Sequence, residues 1–161
     1  NFFIRNGMSN PQWVKKFLPQ LINNYKNEKV FKFLHIPVQS GSDSVLKAMK
    51  RGHTVGDFKT IVGKFRKALS EQSSDAPRRT KFGVGFQKIT IATDIICGFP
   101  TETEKDFEKT LKLIKETKPD MINISQFWPR PGTKAAEMKQ LPVGKAKERS
   151  RKLTRLCEEI T

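Results

Sequence analysis

Thr93-Asp-Ile-Ile-Cys-Gly-Phe-Pro-Thr-Glu-Thr103 reads as a buried strand that runs into a polar turn and then a helix. The apolar run around it, Ile89 to Ile96, suits a strand covered on both faces, as in a parallel sheet. Gly98 and Pro100 end that run. Thr101 or Thr103 then caps a helix, with Glu104 or Asp106 three residues on as the capping-box acid. The same grammar recurs on either side. Val30 to Val38 leads into Leu34-His-Ile-Pro-Val-Gln-Ser-Gly-Ser42, and Met121 to Phe127 leads into Asn123-Ile-Ser-Gln-Phe-Trp-Pro-Arg-Pro-Gly-Thr133. Apolar runs that end in Gly, Pro and hydroxyl residues put hydrogen-bond donors at one end of a parallel sheet, where α/β folds bind ligands. Three such ends predict one shared site.

The intervening segments read as helices. Ser9-Asn10-Pro11 starts one, with Pro near the first helical position, and Trp13, Val14, Phe17, Leu18, Leu21, Ile22 and Tyr25 recur at helical spacing, with Pro19 bending or dividing the run. Ser42-Asp43 caps a short helix holding Val45, Leu46 and Met49 that breaks near Gly52; Thr54 to Ser70 carries Phe58, Ile61, Val62, Phe65 and Leu69. Phe107, Leu111 and Ile114 give the helix ended by Pro119 its core face, and a densely basic helix runs from about Val143 to Ile160. Phe2 to Ile4 reads as the tail of a strand already inside a fold, so the chain is expected to be a fragment. Alternation of strand and helix over short connections implies parallel strands with right-handed crossovers: an α/β barrel segment or an open sheet. From Ser70 to Gln87 the apolar period gives way to Ser, Asp, Pro, Arg, Lys and Gly, which predicts a mobile surface loop (residues 70–87).

With 161 residues and 36% apolar content, the chain supports one core without disulfides or metal. Its net charge of +15 exceeds what solubility needs and points to a polyanionic partner, nucleic acid first. No stretch approaches the roughly 18 apolar residues of a membrane span. Cys97 and Cys157 lie far apart without paired spacing, which argues against a disulfide scaffold or zinc site and for a reducing, cytoplasmic setting.

Several residues at the strand ends can carry chemistry. Gly41 lets the backbone turn closely, while Gln39, Ser40 and Ser42 offer hydrogen bonds to a polar ligand; the plain alternative is a capped strand-to-helix turn. Asp94 sits inside a buried strand, which costs several kcal/mol unless it faces a polar cavity or a partner. Gly98 allows a flat group such as adenine to lie against the backbone, and Glu102 anchors the following loop or serves the helix start. Arg51 can swing toward the strand ends and grip a carboxylate, and Arg130, between two prolines, is rigidly presented to phosphate or a base. Cys97 reads as a small core residue, His35 as a satisfied buried polar residue and His53 as a surface residue. Lys145 to Arg155 reads as a solvated helix face available to phosphate.

Taken together, Leu34-His-Ile-Pro-Val-Gln-Ser-Gly-Ser-Asp43, Lys50-Arg51, Asp94-Ile-Ile-Cys-Gly-Phe-Pro-Thr-Glu-Thr103 and Phe127-Trp-Pro-Arg-Pro-Gly-Thr133 resemble the radical S-adenosylmethionine methylthiotransferases that modify tRNA, in the eukaryotic and archaeal branch acting on N6-threonylcarbamoyladenosine. The resemblance implies the C-terminal part of a radical SAM core domain: a partial TIM-like barrel of parallel strands with outer helices, lacking its first βα units. It also implies a cluster-binding N-terminal domain and an RNA-binding C-terminal domain, both outside residues 1–161. The implied chemistry adds a methylthio group to C2 of the modified adenosine beside the anticodon, using S-adenosylmethionine, two 4Fe-4S clusters, a reductant and a sulfur donor. The partner is tRNA, with no DNA. Gln39, Ser40 and Arg51 would hold the methionine or ribose part of the cofactor, and Asp94, Ile96, Gly98 and Glu102 the wall near ribose and adenine, with Arg130 facing substrate RNA. Thr101 stands where the family usually has Gly. The two cysteines lack the family's three-Cys spacing, so no metal ligand is assigned and the chain alone is expected to be inactive, with any endoplasmic-reticulum anchor lying elsewhere. Relatives acting on isopentenyladenosine or on a ribosomal-protein aspartate, and a non-catalytic basic RNA-binding α/β domain, are the alternative readings.

Overall fold

The computed structural model describes residues 2–70, 79–80, 83–84 and 88–160. Three strands, β1 (Phe33–His35), β4 (Thr90–Cys97) and β5 (Met121–Gln126), form one parallel sheet in the order β1-β4-β5. The helices between them are α3 (Asp43–Ala48), α4 (Val55–Ser70) and α5 (Glu104–Thr117), preceded by α1 (Pro11–Lys16) and α2 (Leu18–Tyr25) and followed by α6 (Lys134–Glu137) and α7 (Val143–Ile160). A small antiparallel pair, β2 (Arg79–Thr80) with β3 (Gly83–Val84), lies within the stretch expected to be a loop; the rest of 71–87 lies outside the described residues.

The expected strand at Phe2 to Ile4 is only a pair of parallel bridges, Ile4 to Val30 and Met8 to His35, which place residues 2–8 beside β1 at the sheet edge. The expected Val30–Val38 strand is interrupted for a covalent reason. Pro37 has no N–H to give, and the chain gains one residue against β4: five steps from Leu34 to Gln39 pair with four from Ile91 to Ile95. Thr93 bridges the gap, its Oγ1 donating to Ile36 O at 2.7 Å and accepting from Val38 N at 3.1 Å. The ladder resumes at Gln39, which bonds Asp94 O and Ile96 N.

Helices form where spacing and caps agree. Asn10 Oδ1 accepts from Gln12 N at the start of α1, and Pro19 divides the first helical run by sitting in the first turn of α2. Of the apolar residues in that run, Val14, Leu18 and Tyr25 are buried, whereas Trp13 and Phe17 are 53% and 57% exposed. α3 ends at Ala48, and the break expected near Gly52 is made at Lys50, whose φ of 54° closes a left-handed turn, with Arg51 N bonded to Leu46 O and Lys50 N to Lys47 O. α5 carries a full capping box between Thr103 and Asp106, and Pro119 follows its end at Lys118. Its buried apolar face is Phe107, Leu113 and Ile114, with Leu111 half-buried.

One core joins these layers. Leu34, Ile36, Ile91, Ile95 and Cys97 on the sheet pack against Phe58, Ile61 and Phe65 of α4, Phe107 and Ile114 of α5, and Leu153 and Leu156 of α7. Tyr25 meets Phe65 edge-on at 5.2 Å while its hydroxyl donates to Phe33 O, which satisfies the only polar atom on that ring. The opposite sheet face, carrying Asp94, Ile96, Asn123 and Ser125, stays partly open.

Candidate cofactor and substrate site

Because the strands are parallel, their C-terminal turns emerge at one end of the sheet, and side chains bolt the first two together. Ser42 Oγ donates to Asp106 Oδ1 at 2.6 Å and Ser44 Oγ to the same oxygen at 3.2 Å, while Thr103 Oγ1 and N donate to Asp106 Oδ2 at 2.6 and 3.1 Å. Burial pushes the Asp106 carboxyl up, but the hydrogen bonds from Ser42, Thr103 and Ser44 outweigh it and hold the group well below the usual carboxylate range. Gly41 N donates to Thr110 Oγ1, and a Cβ at Gly41 would lie 2.4 Å from Thr110 Cα. Only glycine lets this turn sit against α5.

The turn after β4 is fixed from the other side. Glu102 is buried; its Oε2 accepts from Gly98 N and from Arg149 Nη1, each at 2.8 Å, and Arg149 Nη1 also reaches Glu102 O at 3.0 Å. Burial drives the Glu102 carboxyl up, opposed by Gly98 N–H and the Arg149 guanidinium. Gly98, at φ +83°, packs against α7: a Cβ there would lie 2.5 Å from Ala146 Cβ. Arg149 therefore corrects the expectation of a wholly solvated basic face on α7, being 4% exposed, while Lys145, Lys147, Arg151, Lys152 and Arg155 are exposed. The signal for Arg149 was its place in the Ala146, Leu153, Leu156 stripe.

The strand-end residues fall into two groups. Asp94 and Ile96 lie on β4, and Gln39, past the end of β1, bridges Ile95 between them. Gln39 holds φ 73°, and its Oε1 is buried without a partner among the described residues. Asp94 Oδ1 accepts from Asn123 Nδ2 at 2.7 Å and lies 2.9 Å from His35 Nε2, so its partners are side chains of the two neighbouring strands. Arg51 is exposed just past the α3 turn. Ser40, Gly98 and Glu102, by contrast, are engaged internally: Ser40 is fully buried, with its Oγ accepting from Ser42 N. Arg130 is exposed in the Pro129-Pro131 turn, and its O accepts from Thr133 Oγ1 and N.

Three residues escaped the sequence reading. His53, expected at the surface, is 6% exposed, and its Nε2 bonds Val38 O. Asn123 is a ligand of Asp94. Trp128, beside Arg130, is 80% exposed, on a turn held by Phe127 N to Cys97 O and by an edge-on Phe127–Phe99 contact.

No family model matches the chain. Among curated proteins it is 47% identical over 159 residues to a probable threonylcarbamoyladenosine tRNA methylthiotransferase of Archaeoglobus fulgidus, covering 99% of this chain and 34% of that protein. It is 43% identical over 153 residues to the threonylcarbamoyladenosine tRNA methylthiotransferase of Homo sapiens, covering 95% and 24%. In sequence, the chain is thus similar to this methylthiotransferase family along nearly its whole length. It spans about a third or less of the length of those relatives. Among solved structures, coproporphyrinogen III oxidase of Escherichia coli, a radical SAM enzyme, superposes with a TM-score of 0.64 at 16% identity, over 98% of this chain and 32% of that one. The chain thus shares its partial α/β fold with that radical SAM enzyme.

Proposed function

We propose that the protein carrying this chain is a radical SAM enzyme that adds a methylthio group to C2 of N6-threonylcarbamoyladenosine beside the anticodon of tRNA. The observation that carries this reading is the pair of cross-bolted strand-end turns, Gln39–Asp43 and Gly98–Glu102, at one end of a parallel sheet in a chain 47% identical to a relative of that name.

The residues present fit S-adenosylmethionine on two counts. Gln39 Oε1 is a buried acceptor in need of a donor, and Asp94 places both its bonds on Oδ1, so that Oδ2 meets no donor among the described residues. When bound and reduced, S-adenosylmethionine supplies the hydrogen-abstracting radical chemistry. Gln39 and Asp94 would hold its amino or ribose hydroxyl donors, Ile96 would wall the site, and Arg51 would meet the carboxylate. Ser40, Gly98 and Glu102 support this frame by holding the two turns in place. The cysteines do not fit a cluster. Cys97 is fully buried, and burial, with the Glu102 carboxylate, pushes its thiol up to about 12. Both 4Fe-4S clusters are therefore assigned to other parts of the full-length protein.

Substrate RNA would approach the same end of the sheet. Arg130 and Trp128 stand exposed on the third turn, and the exposed basic residues of α7 extend a positive surface. Among the described residues no helix is long and apolar enough to cross a membrane. A cytoplasmic setting with a reductant and a sulfur donor suits this chemistry. The test is to reconstitute the full-length protein with iron and sulfide, supply S-adenosylmethionine, reductant and tRNA bearing threonylcarbamoyladenosine, and mass-analyse the nucleosides. The methylthio nucleoside is expected; an unmodified pool from protein with both clusters loaded would refute the reading. Residues 1–161 alone are expected to yield none.

A further inference from the structure

Three adjacent strands each contribute one side chain to a polar row on the open face of the sheet. His35 of β1, Asp94 of β4 and Asn123 of β5 meet there, with Asp94 in the middle. Asn123 lies opposite Asp94 in the β4–β5 register, so its amide crosses directly to the carboxylate. An ionised carboxylate only accepts, so the Asn123 NH2 faces it and His35 presents a protonated Nε2. Both donors converge on Oδ1, at 2.7 and 2.9 Å. Held by strands on both sides, the carboxylate cannot rotate about χ2 without losing both bonds. The Asp94 and His35 side chains each keep about a fifth of their surface exposed, so the row borders the open face and is not sealed in the core.

We infer that His35 and Asn123 are positioning residues that lock Asp94 so that Oδ2 receives a ribose hydroxyl of an adenine nucleoside. This rests on the proposed function and assigns two residues to the same site. The geometry offers a single strong acceptor on a rigid sheet, and charge-assisted bonds from hydroxyl donors are the strongest neutral-ligand contacts it can make. Two nucleosides carry that group, the cofactor and the target adenosine of the RNA.

The test uses the full-length protein with its clusters reconstituted. Dissociation constants for S-adenosylmethionine, by equilibrium dialysis, and for an anticodon stem-loop bearing threonylcarbamoyladenosine are measured for the wild type, His35→Phe, His35→Gln, Asn123→Ala, Asp94→Asn and the double variant His35→Phe with Asp94→Asn. His35→Phe and Asn123→Ala are expected to weaken one of the two ligands about tenfold with the melting temperature unchanged. His35→Gln, which keeps an N–H donor, is expected to return within about twofold of wild type. In the Asp94→Asn background, His35→Phe is expected to add almost nothing. Weakened S-adenosylmethionine binding assigns Oδ2 to the cofactor ribose, and weakened stem-loop binding alone assigns it to the substrate ribose. Unchanged constants for both ligands, a His35→Gln variant as weak as His35→Phe, or fully additive effects would overturn the inference. Wild-type protein that binds neither ligand would instead refute the proposed function itself.

Discussion

Arg149→Ala should be among the most damaging single substitutions in this chain, although the residue sits in a helix of basic side chains. Its guanidinium is 4% exposed and makes three bonds: to Glu102 Oε2 at 2.8 Å, Glu102 O at 3.0 Å and Glu104 Oε2 at 3.2 Å. It also lies over the Phe107 ring, 5.5 Å from the centroid. Removing it leaves the Glu102 carboxylate buried with only Gly98 N–H as partner. Breaking one side of a buried pair costs about 3–5 kcal/mol. With a urea slope of about 2 kcal/mol/M, the unfolding midpoint should fall by roughly 2 M. Glu102→Gln, which removes the charge but keeps acceptors, should cost about 1–2 kcal/mol. Made in that background, Arg149→Ala should cost visibly less than it does alone, a coupling of at least about 1 kcal/mol. The pH dependence has a fixed sign. Burial raises the Glu102 carboxyl in the folded protein, so protonation favours folding and that contribution is lost as pH rises through the folded value. Without Arg149 the carboxyl rises further, and the deficit of the variant should shrink as pH falls from neutral toward the carboxylate range. Urea unfolding monitored by near-ultraviolet circular dichroism at several pH values measures all of this. A loss below about 1 kcal/mol, or strict additivity with Glu102→Gln, would refute the assignment.

Gly98→Ala combines a left-handed backbone with a Cβ 2.5 Å from Ala146 Cβ and should cost about 2–4 kcal/mol; Ala146→Gly should recover only the collision part, as read by thermal unfolding. Asp106→Asn should destabilise by about 1–3 kcal/mol at neutral pH. The wild-type carboxyl is held low, so its contribution is present above the ordinary carboxylate pKa and lost as pH falls through the folded value; acid titration of the two proteins should therefore converge. Trp128→Ala, at an 80% exposed position, should change stability by less than about 0.5 kcal/mol yet weaken RNA binding by about 1–3 kcal/mol in filter-binding assays. The same assays should show at least a tenfold loss of affinity between 50 and 200 mM salt, as expected when cations such as Lys145, Lys147 and Arg151 meet phosphates.

The strand ends were legible because their chemistry is local. Gly98, Pro100 and the Thr103 to Asp106 capping box announce a strand, a turn and a helix within fourteen residues of sequence, and β4, its turn and α5 lie where that pattern puts them. Parallel pairing followed from the alternation of elements. What escaped was set by contacts between distant positions. Nothing near Arg149 signals that it faces Glu102, since the two meet only when α7 packs on the sheet. Trp13 and Phe17 kept the helical period yet stand exposed, since spacing alone does not say which apolar residues another element covers. His53 read as a surface residue because its partner, Val38 O, lies fifteen positions away in the stretch after β1. Asp94 was marked as needing a partner, and the identity of the two that serve it depends on register, which sequence does not print.

Asp106 gives one of its oxygens to the first strand-end turn and the other to its own helix cap. A shared anion of this kind makes two loops from different parts of the chain a single mechanical unit. Variation at Ser42 is therefore constrained by what stands sixty-four positions later. The floor of the site is thus set before any ligand arrives, with the cost of ordering it already met during folding.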